Sequence, residues 1–247
     1  MLATIFAQVD GACTAVGATL VGGHTEVTQG LGRPILAGTM IGEVEKDRLV
    51  TTGGARVGDA VLLSKGIAIE GTSILARSFE EALVARKIDP GSLELARDFL
   101  HHPGISVLPE AQAAVTAARV HSMHDPTEGG LATGLHELAL AAGVGLRIDR
   151  DAIPILSECS RLCRALGVDP LGLIASGALL LTCDPKDADG VLTAWRVQGI
   201  DGRIIGVVTP AEAGCRMVHR SGEAPLPRFP RDEMARLIDT SGATEAL

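Results

Sequence analysis

A strand that runs straight into a glycine-rich helix start lies at the centre of this sequence. Residues 120–123 can finish a strand, and residues 127–142 place leucines at helical spacing until Gly143 ends the pattern. Gly129 and Gly130 fall in the first turn of this predicted helix, where glycine lowers helix stability. Any fold proposed for the chain must therefore explain both the abrupt strand-to-helix junction and the glycine pair.

Two interpretations of the glycine pair remain open from the residues alone. Glycines at a helix start let an anion approach free backbone N–H groups, and the helix dipole favours its negative charge. Asp125 and Glu128 beside that point could hold a cation that accompanies a phosphate. Alternatively, the pair forms a tight turn in which glycine is required for packing.

Composition favours an α/β enzyme and disfavours several other classes. The chain has 247 residues, 46% of them hydrophobic, which suffices for one large domain or two smaller ones. With thirty glycines, four Phe, one Trp and no Tyr, the core must consist of Ala, Val, Leu and Ile. A net charge of −8 disfavours nucleic-acid partners and attraction to a membrane surface, although a local Mg²⁺ site could still bind a nucleotide.

Cysteine usage and apolar runs indicate a cytoplasmic location. The five cysteines include no Cys-x-x-Cys pair, so a zinc ribbon is not expected. Cys159 and Cys163 lie four residues apart on a predicted helix, where they could hold a metal or remain buried thiols in a reducing cytosol. The longest apolar run, residues 171–183, is too short to span a bilayer, and the first residues lack the basic start of a signal peptide.

Alternating helices and strands predict the domain organisation. From residue 102 to 210 the two patterns alternate repeatedly, which indicates an α/β sandwich around one sheet. Residues 1–101 are predicted to form a partial, β-rich domain with strands at 19–21, 33–44 and 59–65 and helices at 2–17, 72–87 and 92–100. Residues 211–247 are predicted to be a proline-containing tail with a last helix at 231–238.

The loop after the first predicted strand is a second candidate site. Gly22 and Gly23 precede His24, Thr25 and Glu26, and polar glycine-rich loops at strand ends are frequent ligand sites in α/β proteins. The three polar side chains could contact a metal–phosphate group. The alternative is a glycine-rich turn whose polar residues face water.

Lys65 and His124 each allow two interpretations. Lys65 ends a predicted strand and could reach a phosphate, but the surrounding segment lacks the spacing of a P-loop. A lysine solvated at a strand end is the alternative. His124 adjoins Asp125 and either lines the site or is a strand-end histidine with satisfied hydrogen bonds.

Three motifs, in order along the chain, resemble one known superfamily. They are Val21-Gly-Gly-His-Thr25, Thr51-Thr-Gly-Gly-Ala-Arg-Val-Gly-Asp59 and His124-Asp-Pro-Thr-Glu-Gly-Gly-Leu-Ala132. The set resembles the superfamily of aminoimidazole ribonucleotide (AIR) synthetase, HypE, selenophosphate synthetase and thiamine-monophosphate kinase, and most closely its AIR synthase-related, HypE-like branch. Residues 104–107 and 152–154 support the resemblance, which extends to about residue 210.

The resemblance implies a fold and a chemistry. Members have a two-domain, PurM-like α/β architecture and usually dimerise through strands of the N-terminal domain. They bind ATP and Mg²⁺, and they typically phosphorylate a substrate oxygen. By position, Asp125 resembles the carboxylate that holds Mg²⁺ and Thr127 the residue that contacts the nucleotide, while Gly129 and Gly130 would admit phosphate to the backbone.

The chain also departs from the family pattern. The usual Gly-Asp-Asp-Ala acidic loop and a following Asn-Asp motif do not occur, so the chain is expected to be an N-terminally shortened member. His24 stands where several members carry a metal-binding carboxylate, and Glu128 stands where HypE often has Arg. The chain ends at Leu247 without the reactive C-terminal cysteine of HypE.

These observations lead to one principal hypothesis and two alternatives. The principal hypothesis is an ATP- and Mg²⁺-dependent phosphotransfer or ligase-type enzyme acting on an unidentified small-molecule or protein substrate, as a homodimer. Its catalytic residues would be Asp125 and His24, and its metal ligands Asp125, Glu128 and Glu26; Gly22, Gly23, Thr25, Lys65, Thr127, Gly129 and Gly130 would bind the cofactor. The alternatives are a non-catalytic scaffold or regulatory homologue, favoured by the missing acidic loop, and a metal or redox protein using Cys159 and Cys163.

Overall fold

The strand Ala60–Ser64 (β1) is buried along its whole length and lies inside a seven-stranded sheet. The computed structural model describes residues 1–241, which divide into a first unit, Met1–Leu49, and a second unit that starts at Val50. Besides β1, the sheet contains β2 (Val120–His124), β3 (Gly145–Asp149), β4 (Leu180–Cys183), β5 (Gly202–Thr209), β6 (Cys215–His219) and β7 (Gly222–Pro225).

The sheet is mixed, with strand order β2-β4-β1-β5-β3-β6-β7. Its neighbouring strands are antiparallel, apart from the parallel pair β3 and β6. Leu62 of β1 stands opposite Leu181 of β4 and Ile204 of β5. This central position explains the unbroken apolar pattern of β1, because both of its faces are covered.

Helices cover the two faces of β1, since successive side chains of a strand point to opposite sides. Val61 and Leu63 join one hydrophobic cluster with α6 (Gly130–Ala142). Leu62 joins another with α5 (Leu108–Ala117) and α8 (Pro185–Val197). In that second cluster Trp195 is fully buried, and its indole N–H donates to the Glu110 carbonyl oxygen at 2.9 Å.

A third cluster packs the remaining helices of the second unit together. They are α2 (Ile69–Ser78), α3 (Glu80–Ala85), α4 (Pro90–Arg97), α7 (Ser157–Leu166) and α9 (Glu233–Ser241). The single helix predicted over 72–87 is therefore wrong. It starts earlier and is interrupted at Phe79, whose backbone leaves the helical region while its ring is buried in this cluster.

Residues 50–101 and 102–210 contribute strands to the same sheet. β1 pairs with β4 on one side and β5 on the other, so the boundary predicted between residues 101 and 102 falls within the second unit. The predicted tail also differs, because β6 and β7 extend the sheet and α9 packs into the third cluster. The two short strands were not predicted, because the prolines and polar residues of this stretch are untypical of strands. The chain end at Leu247 lies outside the described residues.

The first unit contains the helix α1 (Leu2–Ala15) and the short 3-10 helix Lys46–Arg48. The strands predicted at 19–21 and 33–44 are wrong, since the described residues of this unit form no strand. A strand needs a hydrogen-bonded neighbour, and this unit supplies none to these segments. Their apolar side chains are exposed instead; Val21 is 93% exposed and Ile41 90%.

Candidate functional site

The glycine-rich start of α6 is a left-handed turn that immediately follows β2. Gly129 and Gly130 have φ angles of 77° and 67°, so the helix predicted from residue 127 begins only at Gly130. The Thr127 carbonyl oxygen accepts hydrogen bonds from the N–H groups of Gly130 and Ala175, both at 3.1 Å. The turn is thereby fixed to the segment before β4.

Packing accounts for the glycine at position 130. A Cβ there would lie 2.5 Å from the Leu171 carbonyl oxygen and 2.8 Å from that of Leu173. The Ala132 N–H also donates to the Leu171 oxygen, at 3.0 Å. No side chain could fit between α6 and this neighbouring backbone, which supports the packing interpretation for Gly130.

Gly129 has an anionic partner from its own chain. Its N–H donates to Oδ2 of Asp232 at 2.7 Å, while Oδ1 of the same carboxylate accepts from the Met234 N–H at 2.7 Å. Asp232 thus caps both α6 and α9. Burial raises the pKa of Asp232, and the nearby carboxylates Glu128 and Glu233 act in the same direction. The Gly129 N–H at the α6 start therefore binds a carboxylate of the same chain.

Asp125, Thr127 and Glu128 lie exposed at the same turn. The Thr127 hydroxyl lowers the pKa of the Glu128 carboxyl, which keeps that group ionised. The two carboxylates are oxygen ligands of the type Mg²⁺ prefers, and Mg²⁺ sites commonly combine one or two carboxylates with phosphate oxygens and water. Among residues 1–241, no three His, Cys, Asp or Glu side chains converge on a metal-sized site. The carboxylates of Asp125 and Glu128 therefore fit Mg²⁺ only if phosphate oxygens and water supply its other ligands.

His124 has partners on both ring nitrogens. Its Nε2 lies 2.9 Å from Oε2 of Glu137, and its Nδ1 lies 3.5 Å from the Thr52 hydroxyl. Thr52 also donates to the Met123 carbonyl oxygen at 3.1 Å. These contacts favour the interpretation of His124 as a satisfied strand-end histidine that fixes the backbone next to Asp125.

A buried polar cluster, which the sequence analysis missed, explains the Thr51–Asp59 motif. The Asp59 carboxylate is buried and lies 2.9 Å from Nδ1 of His121. It also accepts from the Thr182 hydroxyl at 3.2 Å and from the Arg56 N–H at 2.9 Å. The motif therefore attaches its turn to β2 and β4. Its sequence signal was an acidic residue next to the apolar run Ala60–Leu63.

Lys65 is neither solvated nor directed at the α6 start. Its ammonium group lies 3.0 Å from the Gly104 oxygen, 2.8 Å from the Ser106 oxygen and 2.6 Å from Oε1 of Glu110. The side chain is buried between two cavities of about 440 and 460 Å³. Neither cavity is lined by Asp125, Thr127 or Glu128. Three acceptors occupy the three N–H groups of Lys65, so the structure favours a structural role for this residue.

The other predicted ligands lie in the first unit and at α7. Residues 22–26 are exposed, and His24 Nε2 lies 3.6 Å from Oε2 of Glu26. The same carboxylate accepts from the Thr28 hydroxyl at 3.2 Å. Cys159 and Cys163 are buried free thiols whose sulfur atoms are 3.9 Å apart. The hydrogen bond with Cys159, together with burial, raises the pKa of Cys163, so that thiol stays protonated.

The fold and the ordered motifs define an AIR synthase-type α/β protein. Residues 56–218, more than half of the chain, match the family described as AIR synthase related protein, C-terminal domain. The chain belongs to this family, and its HypE-like resemblance is confirmed by the relatives described next. The α/β fold class is likewise confirmed.

Several curated relatives are proteins called carbamoyl dehydratase HypE. The Cupriavidus necator protein is 35% identical over 213 residues, which cover 84% of this chain and 57% of that protein. The Azotobacter vinelandii protein is 32% identical, with coverage of 92% and 67%. Selenide, water dikinase 2 of Peptoclostridium acidaminophilum is 32% identical over 64% of this chain and 41% of its own length. The chain thus spans about 57% to 67% of the first two relatives.

Solved structures show the same fold. Escherichia coli HypE has a TM-score of 0.60 at 23% identity, covering 76% of this chain and 55% of that protein. A HypE solved in complex with ATP has a TM-score of 0.56 at 23% identity, with coverage of 77% and 56%. The thiamine monophosphate kinase of Aquifex aeolicus has a TM-score of 0.52 at 23% identity, with coverage of 73% and 56%.

No helix among the described residues is long and apolar enough to cross a membrane.

Proposed function

We propose that this chain is part of an ATP- and Mg²⁺-dependent enzyme that activates a substrate oxygen by phosphotransfer. The observation that carries the proposal is the exposed group of Asp125, Thr127 and Glu128 at the α6 start, within a region that matches the family. A relative of the same fold has been solved with ATP. Relatives named carbamoyl dehydratase support an amide-type oxygen as the group activated, because phosphorylation turns that oxygen into a leaving group.

The proposed roles follow from charge. Asp125 and Glu128 would hold Mg²⁺, which neutralises phosphate charge as the phosphoryl group is transferred. The Thr127 hydroxyl would contact the nucleotide and keep Glu128 ionised. Gly129 would offer its backbone N–H to a phosphate oxygen. The roles of Gly22, Gly23, His24, Thr25 and Glu26, which lie in the first unit, stay predictions from the sequence. Lys65 is left out of the proposed site, since its ammonium group is already fully bonded.

Calorimetric titration of ATP, with and without Mg²⁺, tests this proposal. We expect binding that requires Mg²⁺ and that weakens about tenfold or more in Asp125→Asn, equivalent to about 1.4 kcal/mol of binding free energy. Asp189→Asn is a matched control, because Asp189 is exposed on α8, across the sheet from α6. Equal affinities in the wild type and Asp125→Asn would refute the assignment of the site.

A non-catalytic homologue is the second candidate. The observation that favours it is the Asp232 carboxylate on the Gly129 N–H, where a phosphate oxygen would otherwise bind. A scaffold would bind the nucleotide weakly or without turnover. Release of phosphate from ATP by the purified chain, lost in Asp125→Asn, would exclude it.

We also propose a homodimer that pairs the apolar segments of the first unit. Val27, Ile35, Leu36, Met40 and Ile41 are each at least 69% exposed, and residues 34–44 have the apolar sequence of a strand but no strand partner among residues 1–241. A second copy would supply that partner and cover these side chains. Sedimentation of the wild type should give a dimer, and Ile41→Asp should shift it toward monomer.

The free thiols and the use of ATP fit a cytoplasmic location.

A further inference from the structure

Residues 226–241, here called the C-terminal strap, cross the start of α6. Asp232 lies in the strap and binds the Gly129 N–H through Oδ2 at 2.7 Å. This N–H belongs to the turn that also carries Asp125, Thr127 and Glu128. The strap therefore places a carboxylate on the backbone N–H that was predicted to admit a phosphate.

Apolar contacts hold the strap in this position. Leu226, Met234 and Leu237 are each at most 8% exposed and belong to the hydrophobic clusters of the second unit. The Phe229 ring lies against Gly172, where an added Cβ would stand 2.4 Å from the ring. These contacts make the strap a built-in part of the fold.

Polar contacts connect the strap to the loop beneath α6. Oε2 of Glu233 accepts from the Asp169 N–H at 2.9 Å, and the Glu233 N–H donates to the Gly172 oxygen at 3.0 Å. The same loop presents the Leu171 oxygen to α6. Asp232 is thus fixed relative to Gly129 from both sides.

We propose that Asp232 is an internal competitor of phosphate at the α6 start, so that the C-terminal strap sets the affinity of the site for anions. The proposal rests on the proposed function, because it concerns the same site. One backbone N–H at a helix start can satisfy one anionic oxygen, and a carboxylate and a phosphate use it in the same way. Glu128 adds further negative charge nearby, which makes a second anion beside Asp232 unfavourable.

A variant that tests the proposal must remove the carboxylate from the Gly129 N–H without disrupting α9. Oδ1 of Asp232 caps α9 through the Met234 N–H at 2.7 Å, so Asp232→Ala would lose both contacts. Asp232→Ser keeps a good N-cap residue for α9, but its single short hydroxyl leaves the Gly129 N–H without its anion. Asp239→Ser is the matched control, since Asp239 also lies in the strap and pairs with Arg231.

The experiment is calorimetric titration of inorganic pyrophosphate, and separately of Mg-ATP, into the three proteins. We expect Asp232→Ser to bind pyrophosphate about tenfold more tightly than the wild type, and Asp239→Ser to match the wild type. If Asp232→Ser does not fold in a thermal denaturation test, Asp232→Asn replaces it. Asp232→Asn keeps the shape of the side chain but removes its charge, and it should tighten pyrophosphate binding about threefold.

Equal affinity in the wild type and the position-232 variant overturns the proposal, whether both bind pyrophosphate or neither does. Failure of the proposed function has a different signature. Pyrophosphate binding would tighten in Asp232→Ser, but ATP binding would depend on neither Mg²⁺ nor Asp125. The two proposals can thus fail separately.

Discussion

The Lys65 ammonium lies 2.6 Å from the Glu110 carboxylate, and both side chains are almost completely buried. Removing one partner of such a pair leaves the other charge without compensation in the interior. Lys65→Met should therefore lower the free energy of unfolding by about 3–5 kcal/mol. The double variant Lys65→Met/Glu110→Leu should recover much of that loss, and urea denaturation of both measures it.

The same variants test the earlier hypothesis that Lys65 binds phosphate. A Lys65→Met protein as stable as the wild type, but with weakened Mg-ATP binding, would contradict the structural role. Unchanged nucleotide affinity in the folded fraction would support it.

Gly130 and Gly143 lie at opposite ends of α6 with left-handed backbones and should differ in their tolerance of alanine. Gly130→Ala introduces a Cβ 2.5 Å from the Leu171 oxygen at a φ of 67°, so strain and overlap together should cost about 2–4 kcal/mol. Gly143→Ala is the matched control, with φ at 65° but no atom within 4 Å of the new Cβ. It should cost only about 1–2 kcal/mol. Equal losses in urea denaturation would show that packing against residues 171–173 is not what selects glycine.

Glu128 should set the Mg²⁺ requirement of the proposed site. In Glu128→Gln the site keeps its shape and loses one anionic ligand, so the Mg²⁺ concentration that gives half-maximal ATP binding should rise about tenfold. Excess Mg²⁺ should restore binding if the nucleotide contacts are intact. Asp189→Asn serves again as the control, and an unaltered Mg²⁺ dependence in Glu128→Gln would remove this residue from the metal site.

Glu233 should make the protein more sensitive to acid. Its hydrogen bond with Arg236 lowers the pKa of the Glu233 carboxyl below the ordinary value of 4.5. The unfolded chain therefore takes up this proton first as the pH falls. The resulting stability is fully present above about pH 4.5 and is lost as the pH falls through the lower, folded-state pKa.

Urea denaturation between pH 6 and pH 3 measures this effect. The stability difference between the wild type and Glu233→Gln should be largest near pH 6 and should shrink toward pH 3. A difference independent of pH would mean that the Glu233 carboxylate contributes through shape alone.

Local sequence patterns predicted strands of the second unit but not which strands pair with each other in the sheet. β1 and β2, predicted at 59–65 and 120–123, agree with the structure within one residue at each end. β1 was recognisable because a strand buried on both faces has a nearly continuous apolar run. β6 and β7 were missed because both are short and largely polar, and because β6 pairs with β3, which lies far away in the sequence, while β7 pairs with β6 alone. The strands predicted in residues 1–49 failed for the converse reason. Their composition suits a strand, but a strand exists only with a neighbour.

The candidate site shows the same limit. The sequence placed Asp125, Thr127, Glu128 and the glycine pair on one turn, because they are contiguous. It could not reveal Asp232, which is over one hundred residues away and reaches Gly129 only through the fold. It likewise gave no sign that Glu110 and two carbonyl oxygens surround Lys65, since those contacts depend on the position of α5 and of the loop before it.

Trp195 is the only tryptophan of a chain that has no tyrosine, and it is fully buried on the face of the sheet opposite α6. Nearly all of the near-ultraviolet absorbance and emission therefore comes from one chromophore. Its emission will report global unfolding cleanly, shifting to longer wavelength as the indole meets water. Ligand binding at the α6 start, by contrast, should leave the Trp195 emission unchanged. It must therefore be measured by calorimetry or with a labelled nucleotide.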